Sequence, residues 1–231
     1  MTMPLDSAAL QAWAEACAFT PGDLAYLAAL RAGQPVRRLR ATPRAGPVRL
    51  PSRKMGTVVQ CRSRLDGLPI AYELEHDAAV LEYYDLPTTL HLHYTARSGK
   101  RAAVEMIPDF LVIRTDGAGF IECRSEPELQ ALAAAAPERY VHESDGRWRC
   151  PPGERAAAAH GLGYRVRSRR EVDWTLLANL DFLADFFAGQ HPDPAAPAIA
   201  ALVAAVRQAP GITLLEVLSL ANDNGLAADV V

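Results

Sequence analysis

The chain has 231 residues, half of them hydrophobic, and a formal net charge of −3. That length suffices to bury the core of one or two domains, and the charge excludes a protein that is basic throughout. No apolar run reaches the length of a membrane span and no signal peptide opens the chain, so we expect a cytoplasmic bacterial protein with no membrane partner. The four cysteines form no C-x-x-C pair, which indicates reduced thiols and neither a zinc site nor a disulfide framework.

Residues 1–50 are predicted to form two helices and a basic arm. Ser7–Ala18 is amphipathic, and Thr20–Asp23 is typical of the start of a helix that runs to Gly33. From Leu24 to Leu65 the chain has no acidic residue and is interrupted by prolines, which favours an extended arm. The cations of this span are Arg31, Arg37, Arg38, Arg40, Arg44, Arg49, Arg53, Lys54, Arg62 and Arg64.

Clustered arginines on an otherwise acidic protein favour contact with the phosphates of DNA. The alternative for this span is a solvated linker. The candidate DNA-binding residues are Arg37, Arg38, Arg40, Arg53 and Lys54.

Residues 51–168 alternate predicted strands and helices, the pattern of a mixed α/β layer fold. The apolar spacing of Ile70, Leu74, Ala78 and Leu81 predicts one long helix, and Ser125–Glu128 is typical of a capping box. The predicted helices are Leu68–Tyr84, Pro127–Ala136 and Pro152–Gly161, and the predicted strands outside the hairpin described next are Met55–Cys61, Leu90–Tyr94 and Tyr164–Arg167.

A predicted hairpin in this region carries the residues with the clearest chemistry. Its strands are Ile107–Ile113 and Phe120–Cys123, joined by a turn at Asp116–Gly119. Asp109 follows a proline at the start of the first strand, and period-2 alternation puts Glu122 and Arg124 on one face of the second. Two carboxylates supply the hard oxygen ligands that Mg²⁺ prefers, and a neighbouring cation stabilises charge on a phosphate. The alternative is an ordinary hairpin with solvated charges at its ends.

Residues 169–231 are predicted to be helical. Ser168–Glu171 is a second capping-box pattern, opening a helix through Phe187 whose aromatic stripe we expect to pack as helix–helix core. A linker at Pro192–Pro197 is followed by predicted helices Ala198–Ala209 and Thr213–Ala221. Ala227–Val231 is similar to the first turn of a further helix, so we expect the native chain to continue.

Taken together, several phrases resemble the TnsA-type endonuclease subunit of heteromeric transposases, or the TnsA-like front of a fused transposase. The similarity spans most of the chain from about Pro35, in matching order and spacing. The phrases are Ser52–Gly56, Tyr72–Val80, Pro108–Phe110, Glu122–Arg124, Pro137–Tyr140, Gly146–Gly153, Tyr164–Ser168 and Asn179–Leu183.

The resemblance implies a fold, an activity and partners. The expected fold is a restriction-endonuclease-like, PD-(D/E)xK mixed sheet flanked by helices, with a winged-helix-like C-terminal domain. The expected activity is hydrolysis at the 5′ ends of a transposon, using Mg²⁺ or Mn²⁺. A DDE-type transposase subunit would cut the 3′ ends, and an AAA+ regulator would choose the target. The C-terminal helices would contact these partners.

The family's site residues match this chain only in part. Asp109 matches the aspartate and Glu122 the acidic position, whereas Arg124 stands where lysine is expected. A gapless match puts Gly67 at the position of the family's helix glutamate, with Asp66 beside it. Alternatively, Glu73 or Glu75 is that glutamate.

Two functions therefore stay open. The first is an active nuclease, with Asp109 and Glu122 as metal ligands, Asp66 or Glu75 completing the site, and Arg124 stabilising the phosphate. The second is a non-catalytic descendant that binds DNA and docks partners in the same complex. A transcription regulator is a third reading, disfavoured because the region after Gln208 is acidic on balance.

Overall fold

The computed structural model describes residues 4–40, 46–188 and 196–225. Its chain divides into two compact units, Met1–Leu180 and Asp181–Val231. Arg44, the predicted final helical turn at Ala227–Val231 and most of the predicted linker lie outside the described residues.

The two predicted N-terminal helices are confirmed. Helix α1 spans Ser7–Ala16, and the side chain of Asp6 caps it by accepting a hydrogen bond from the Ala9 amide at 2.8 Å. Helix α2 spans Pro21–Ala32 and begins with a capping box between Thr20 and Asp23. Both helices bury apolar side chains, so they pack as part of the core of the first unit.

The second half of the predicted arm is a hairpin. Strands β1 (Val48–Ser52) and β2 (Thr57–Cys61) pair antiparallel, with Val48 opposite Cys61. Alternate residues of each strand are buried, so one face of the hairpin belongs to the core. The extended-arm prediction therefore applies only to the segment before β1.

The predicted long helix is wrong beyond His76. Helix α3 spans Gly67–His76, and strand β3 follows at Val80–Asp85. Asp77 ends the helix with an extended backbone, and its side chain accepts a hydrogen bond from the Ala79 amide, which closes a turn. The β-branched and aromatic residues that follow favour a strand, and tertiary pairing overrides the apparent helical spacing.

A separate two-stranded sheet follows. Strand β4 (Leu90–Thr95) confirms a prediction, and strand β5 (Arg101–Met106), which pairs with it antiparallel, was not predicted.

The remaining strands complete a four-stranded mixed sheet in the order β10 (Gly163–Ser168), β7 (Gly117–Arg124), β6 (Phe110–Arg114) and β3. Strand β6 (Phe110–Arg114) pairs antiparallel with both β3 and β7 (Gly117–Arg124), which confirms the predicted hairpin. The turn is the two-residue Thr115–Asp116, earlier than predicted, because Gly117–Gly119 already belongs to β7.

The crossover from β7 to β10 contains two helices and a short hairpin. Helix α4 spans Glu126–Ala135, strands β8 and β9 are Val141–His142 and Trp148–Arg149, and helix α5 spans Pro151–Ala158. Strand β10 (Gly163–Ser168) then lies parallel to β7. Both predicted helices and the strand are confirmed, but the Ser125 side chain makes no cap hydrogen bond.

Core residues lie on both faces of this sheet. One cluster contains Leu111, Ile113 and Phe120 and includes the N-terminal helices. The other contains Phe110 and Val112 and includes α3 and the β1–β2 hairpin. The predicted mixed α/β architecture, a mixed sheet flanked by helices, is therefore confirmed at that level.

The C-terminal region is helical, as predicted. The Ser168–Glu171 capping box closes a 3-10 turn, and helix α6 begins only at Trp174 and ends at Ala188. Helices α7 (Ala196–Gln208) and α8 (Leu214–Asp223) follow. None of the helices in the described ranges has the length and hydrophobicity of a membrane span.

The prediction of a buried aromatic stripe on α6 is wrong. Phe182 is 67% exposed and Trp174 is 45% exposed, whereas Leu180 is buried. The helix is apolar on nearly all sides, so its composition cannot indicate which side packs.

Candidate functional site

The β6–β7 hairpin brings the two predicted carboxylates together. Asp109 directly precedes β6, and Glu122 lies in β7. The ladder ends with Phe110 opposite Ile121, and the Asp109 amide donates to the Ile121 carbonyl at 2.8 Å, so Asp109 lies beside the residue that precedes Glu122. Both side chains are buried: 3% of Asp109 and none of Glu122 is exposed.

Asp109 is held by a main-chain donor and a guanidinium. Its Oδ2 accepts a hydrogen bond from the Cys123 amide at 2.8 Å, and Arg62 Nε lies 3.2 Å from its Oδ1. Arg62 also donates to the Ile107 carbonyl, which fixes the guanidinium beside the start of β6. Burial raises the pKa of Asp109 to about 6, against the opposing charge of Arg62.

Arg62 was not predicted as a site residue. It directly follows β2, near the end of the basic span. No sequence motif sets it apart from the neighbouring arginines. Only the packing of the β1–β2 hairpin against the sheet shows its partner.

Glu122 accepts hydrogen bonds at both oxygens. Its Oε1 accepts from Arg124 Nε at 2.8 Å and from the Tyr140 hydroxyl at 2.6 Å. Its Oε2 accepts from the Tyr164 hydroxyl at 2.6 Å. Burial, with the Glu122 charge, raises the pKa of both tyrosines, so they stay protonated donors. Glu122 therefore joins β7 to β10 and to the segment before β8.

Arg124 bridges two carboxylates. Its Nε bonds Glu122, and its Nη1 lies 2.6 Å from Glu128 Oε1 in the first turn of α4. Burial opposes its charge, but the field of Glu122 raises the pKa of Arg124 above its ordinary value. An arginine in this position keeps a fixed positive charge and cannot act as a neutral amine.

The candidates for a third carboxylate all have protein partners. Gly67, the position expected to carry glutamate, is the first residue of α3 and is buried. Its neighbour Asp66 accepts from Arg169 Nη2 at 3.0 Å and from Ser63 Oγ at 2.7 Å. Glu73 accepts from Arg167 Nη2 at 2.9 Å.

Glu75 anchors the β1–β2 turn. It accepts hydrogen bonds from Ser52 Oγ at 2.6 Å, from the Arg53 and Lys54 amides at 2.8 Å, and from the Tyr83 hydroxyl at 2.6 Å. Burial opposes its ionisation, yet these hydrogen bonds hold the pKa of Glu75 below its ordinary value. Its oxygens are occupied by groups that fold the chain.

This donor set, as folded, does not fit the divalent ion that the resemblance implies. Among the described residues, no three His, Cys, Asp or Glu side chains are grouped so that they could hold a metal ion. A magnesium ion at Asp109 and Glu122 would have to displace Arg62 from the first carboxylate and Arg124 or a tyrosine from the second.

The candidate DNA-binding residues divide into two groups. Arg37, Arg38, Arg40 and Arg53 are exposed. Lys54 Nζ instead donates to the Leu74, Asp77 and Val80 carbonyls at 2.7–2.9 Å, where it caps the end of α3. Burial lowers the pKa of Lys54. This corrects the inclusion of Lys54 among the phosphate contacts.

Comparison with known protein families finds no family model that matches this chain, and comparison with curated proteins finds no relative.

Proposed function

We propose that this chain is a TnsA-like component of a DNA transposition complex, in which it binds DNA and docks partner proteins without cutting DNA. The main support for the absence of cleavage is that arginines of the same chain pair with both site carboxylates. Asp109 pairs with Arg62 and Glu122 with Arg124.

The order of elements supports a restriction-endonuclease-like core. Helix α3 precedes the antiparallel strands β3, β6 and β7, and helices α4 and α5 then lead to the parallel strand β10. Asp109 and Glu122 lie on neighbouring strands of this sheet, where the resemblance expects the metal ligands. Both features support descent from a nuclease.

Three features favour a descendant that no longer cuts. Gly67 supplies no carboxylate at the start of α3. The nearby Asp66 is paired with Arg169, and Glu75 is bonded to the β1–β2 turn. To bind the metal, Asp66 would have to leave Arg169, and Glu75 would have to give up the hydrogen bonds that hold the β1–β2 turn.

Exposed surfaces support the binding role. Arg37, Arg38 and Arg40, in the segment before β1, are exposed and suit the DNA backbone, a partner recognised by charge. In the C-terminal unit, Leu214 and Leu215 are 61% and 77% exposed, which supports docking of the DDE-type transposase or the AAA+ regulator there.

A second candidate is the active Mg²⁺-dependent nuclease. The burial of Asp109 and Glu122 at one end of the β6–β7 hairpin favours it, with Asp66 or Glu75 as third ligand and Arg124 stabilising the phosphate. This function requires Arg62 to leave Asp109 when metal binds.

Calorimetric titration with Mn²⁺ separates the two candidates, because metal binding does not need the partner subunits. The scaffold proposal predicts no saturable heat for the wild-type chain and none for Asp109→Asn. Saturable binding that Asp109→Asn abolishes would establish the nuclease candidate instead. Binding of a labelled DNA duplex by the same samples tests the DNA-binding half of the proposal.

A further inference from the structure

The segment 34–40, here called the arginine strap, is fixed to the sheet at two points. The Val36 amide donates to the Leu86 carbonyl at 3.0 Å. The Leu39 amide donates to Gln60 Oε1 at 2.9 Å. Two of its main-chain amides are therefore held, one by a main-chain carbonyl and one by the Gln60 side chain, although the strap belongs to no helix or strand.

Gln60 uses both ends of its side-chain amide. Its Oε1 accepts from the strap, and its Nε2 donates to Asp85 Oδ2 at 2.9 Å. Asp85 is a buried carboxylate at the last position of β3, so it gives the Gln60 amide a fixed orientation. Gln60 thus links the strap to the central sheet.

Leu86 connects the strap to the candidate site. Its carbonyl accepts from Val36, and its amide donates to the Asp109 carbonyl at 2.9 Å. Its φ is +46°, a left-handed conformation that is costly for leucine, and its side chain is fully buried. Both main-chain groups of Leu86 are hydrogen-bonded, so the surrounding structure holds this residue in its strained conformation.

The cations near this junction are available to a ligand. Arg37, Arg38, Arg40 and Arg64 are exposed and form no ion pair with any other described residue. Arg147 and Arg149, by contrast, are exposed but pair with carboxylates. The three strap arginines, which have no ion-pair partner among the described residues, suit a partner with regularly spaced negative charges.

We infer that Gln60 is a positioning residue that holds the arginine strap beside Asp109, so that Arg37, Arg38 and Arg40 form a preformed surface for the phosphodiester backbone of duplex DNA. This inference rests on the proposed function and deepens it by naming the surface and the residue that orders it. Preordering matters because a flexible strap would lose conformational freedom at each binding event.

The salt dependence of DNA binding separates two effects: the loss of an arginine charge and the loss of the strap's fixed position. Each arginine that contacts a phosphate contributes about 0.9 to the slope of log affinity against log salt concentration. Arg38→Ala should therefore weaken binding and reduce the slope by about that amount. Gln60→Met removes both amide hydrogen bonds but no charge, so it should weaken binding about three- to tenfold with an unchanged slope.

The assay is fluorescence anisotropy of a short labelled DNA duplex of arbitrary sequence over a series of salt concentrations. Gln11→Met is the matched control, because the Gln11 amide bonds only within α1, to Glu15. Asp85→Asn keeps an acceptor for Gln60 and should bind like the wild type. Hydrogen exchange at the Leu39 amide should accelerate in Gln60→Met, which reports release of the strap directly.

A second variant tests the other attachment point. Val36 is 45% exposed, and Val36→Pro removes the amide that bonds Leu86. It should repeat the loss of affinity at constant slope, whereas Val36→Ala should not. Wild-type affinity in both Gln60→Met and Val36→Pro, with Leu39 exchange accelerated in Gln60→Met, would overturn the inference alone. No duplex binding by the wild-type chain at low salt would overturn the inference and the DNA-binding half of the proposed function together.

Discussion

Asp109→Asn tests the electrostatics of the candidate site through protein stability. Asp109 is nearly fully buried, and its pKa is raised from 3.8 to about 6 despite Arg62. Asparagine keeps an oxygen that can accept from the Cys123 amide and removes the charge.

The sign of the pH effect follows from linkage. A carboxyl whose pKa is higher in the folded state binds more protons there than in the unfolded state, so stability falls as pH rises between the two values. The window is about pH 4 to 6, and a shift of roughly two units corresponds to about 3 kcal/mol. The wild-type chain should lose that amount across the window, and Asp109→Asn should not.

Urea unfolding at a series of pH values measures this effect. The buried Trp13 and Trp148 give a fluorescence signal from the first unit. The free energy of unfolding of Asp109→Asn minus that of the wild type should rise by about 3 kcal/mol from pH 4 to pH 7. A difference that stays constant over this range would refute a charged, desolvated Asp109.

Asp145→Asn is the matched control. Asp145 is exposed, and hydrogen bonds from Arg147 lower its pKa. Its contribution therefore has the opposite sign, because it is present at neutral pH and is lost as pH falls through the folded-state value.

Three further variants test the packing around the site. Tyr164→Phe leaves a buried oxygen of Glu122 without its donor and should lower the free energy of unfolding by about 1–3 kcal/mol. Gly119→Ala places a Cβ 2.9 Å from the Gly163 carbonyl oxygen, so it should cost about 1–3 kcal/mol by forcing β7 and β10 apart. Lys54→Met removes three hydrogen bonds from the end of α3 and should cost about 2 kcal/mol.

Each of these variants has a control of the same chemistry, and urea unfolding measures all of them. Tyr94→Phe, on the half-exposed strand β4, and Lys100→Met, at an exposed position, should change stability by less than about 0.5 kcal/mol. Gly22→Ala, in the first turn of α2, meets no atom nearer than 3.8 Å and should be neutral or slightly stabilising. Equal effects in a variant and its control would contradict the role given to that contact.

Local signals predicted the parts of the fold that depend on neighbouring residues in the chain. The helix start at Thr20–Asp23 is a capping box that closes within four residues, so the structure forms it as predicted. The β6–β7 hairpin is likewise local, since its strands are joined by two residues. The hairpin then places Asp109 and Glu122 at its end away from the turn.

Long-range partners explain what the sequence did not show. Val80–Asp85 carries apolar residues that fit a helical spacing, but β6 pairs with it and makes it a strand. Lys54 looks like one more cation of a basic span, and only the fold brings the end of α3 to its ammonium group. A charge pattern identifies cations, but their partners depend on packing between distant segments.

Ser52–Gly56, one of the segments that carry the resemblance, has a structural role in this fold. Ser52, Arg53 and Lys54 together bind Glu75, and Lys54 also caps α3. This part of the similarity therefore concerns how the β1–β2 hairpin attaches to the helix.

The central claim is that arginines of this chain occupy the place that a metal ion would need. Mn²⁺ binding followed by electron paramagnetic resonance tests it most directly, in the wild type and in the combined variant Gly67→Glu, Arg62→Met and Arg124→Lys. A Cβ at Gly67 meets no atom nearer than 3.6 Å, so the introduced side chain has room to begin there. We predict that the wild type leaves the free Mn²⁺ spectrum unchanged and that the combined variant binds the ion. Saturable binding by the wild type, abolished by Asp109→Asn, would contradict the account.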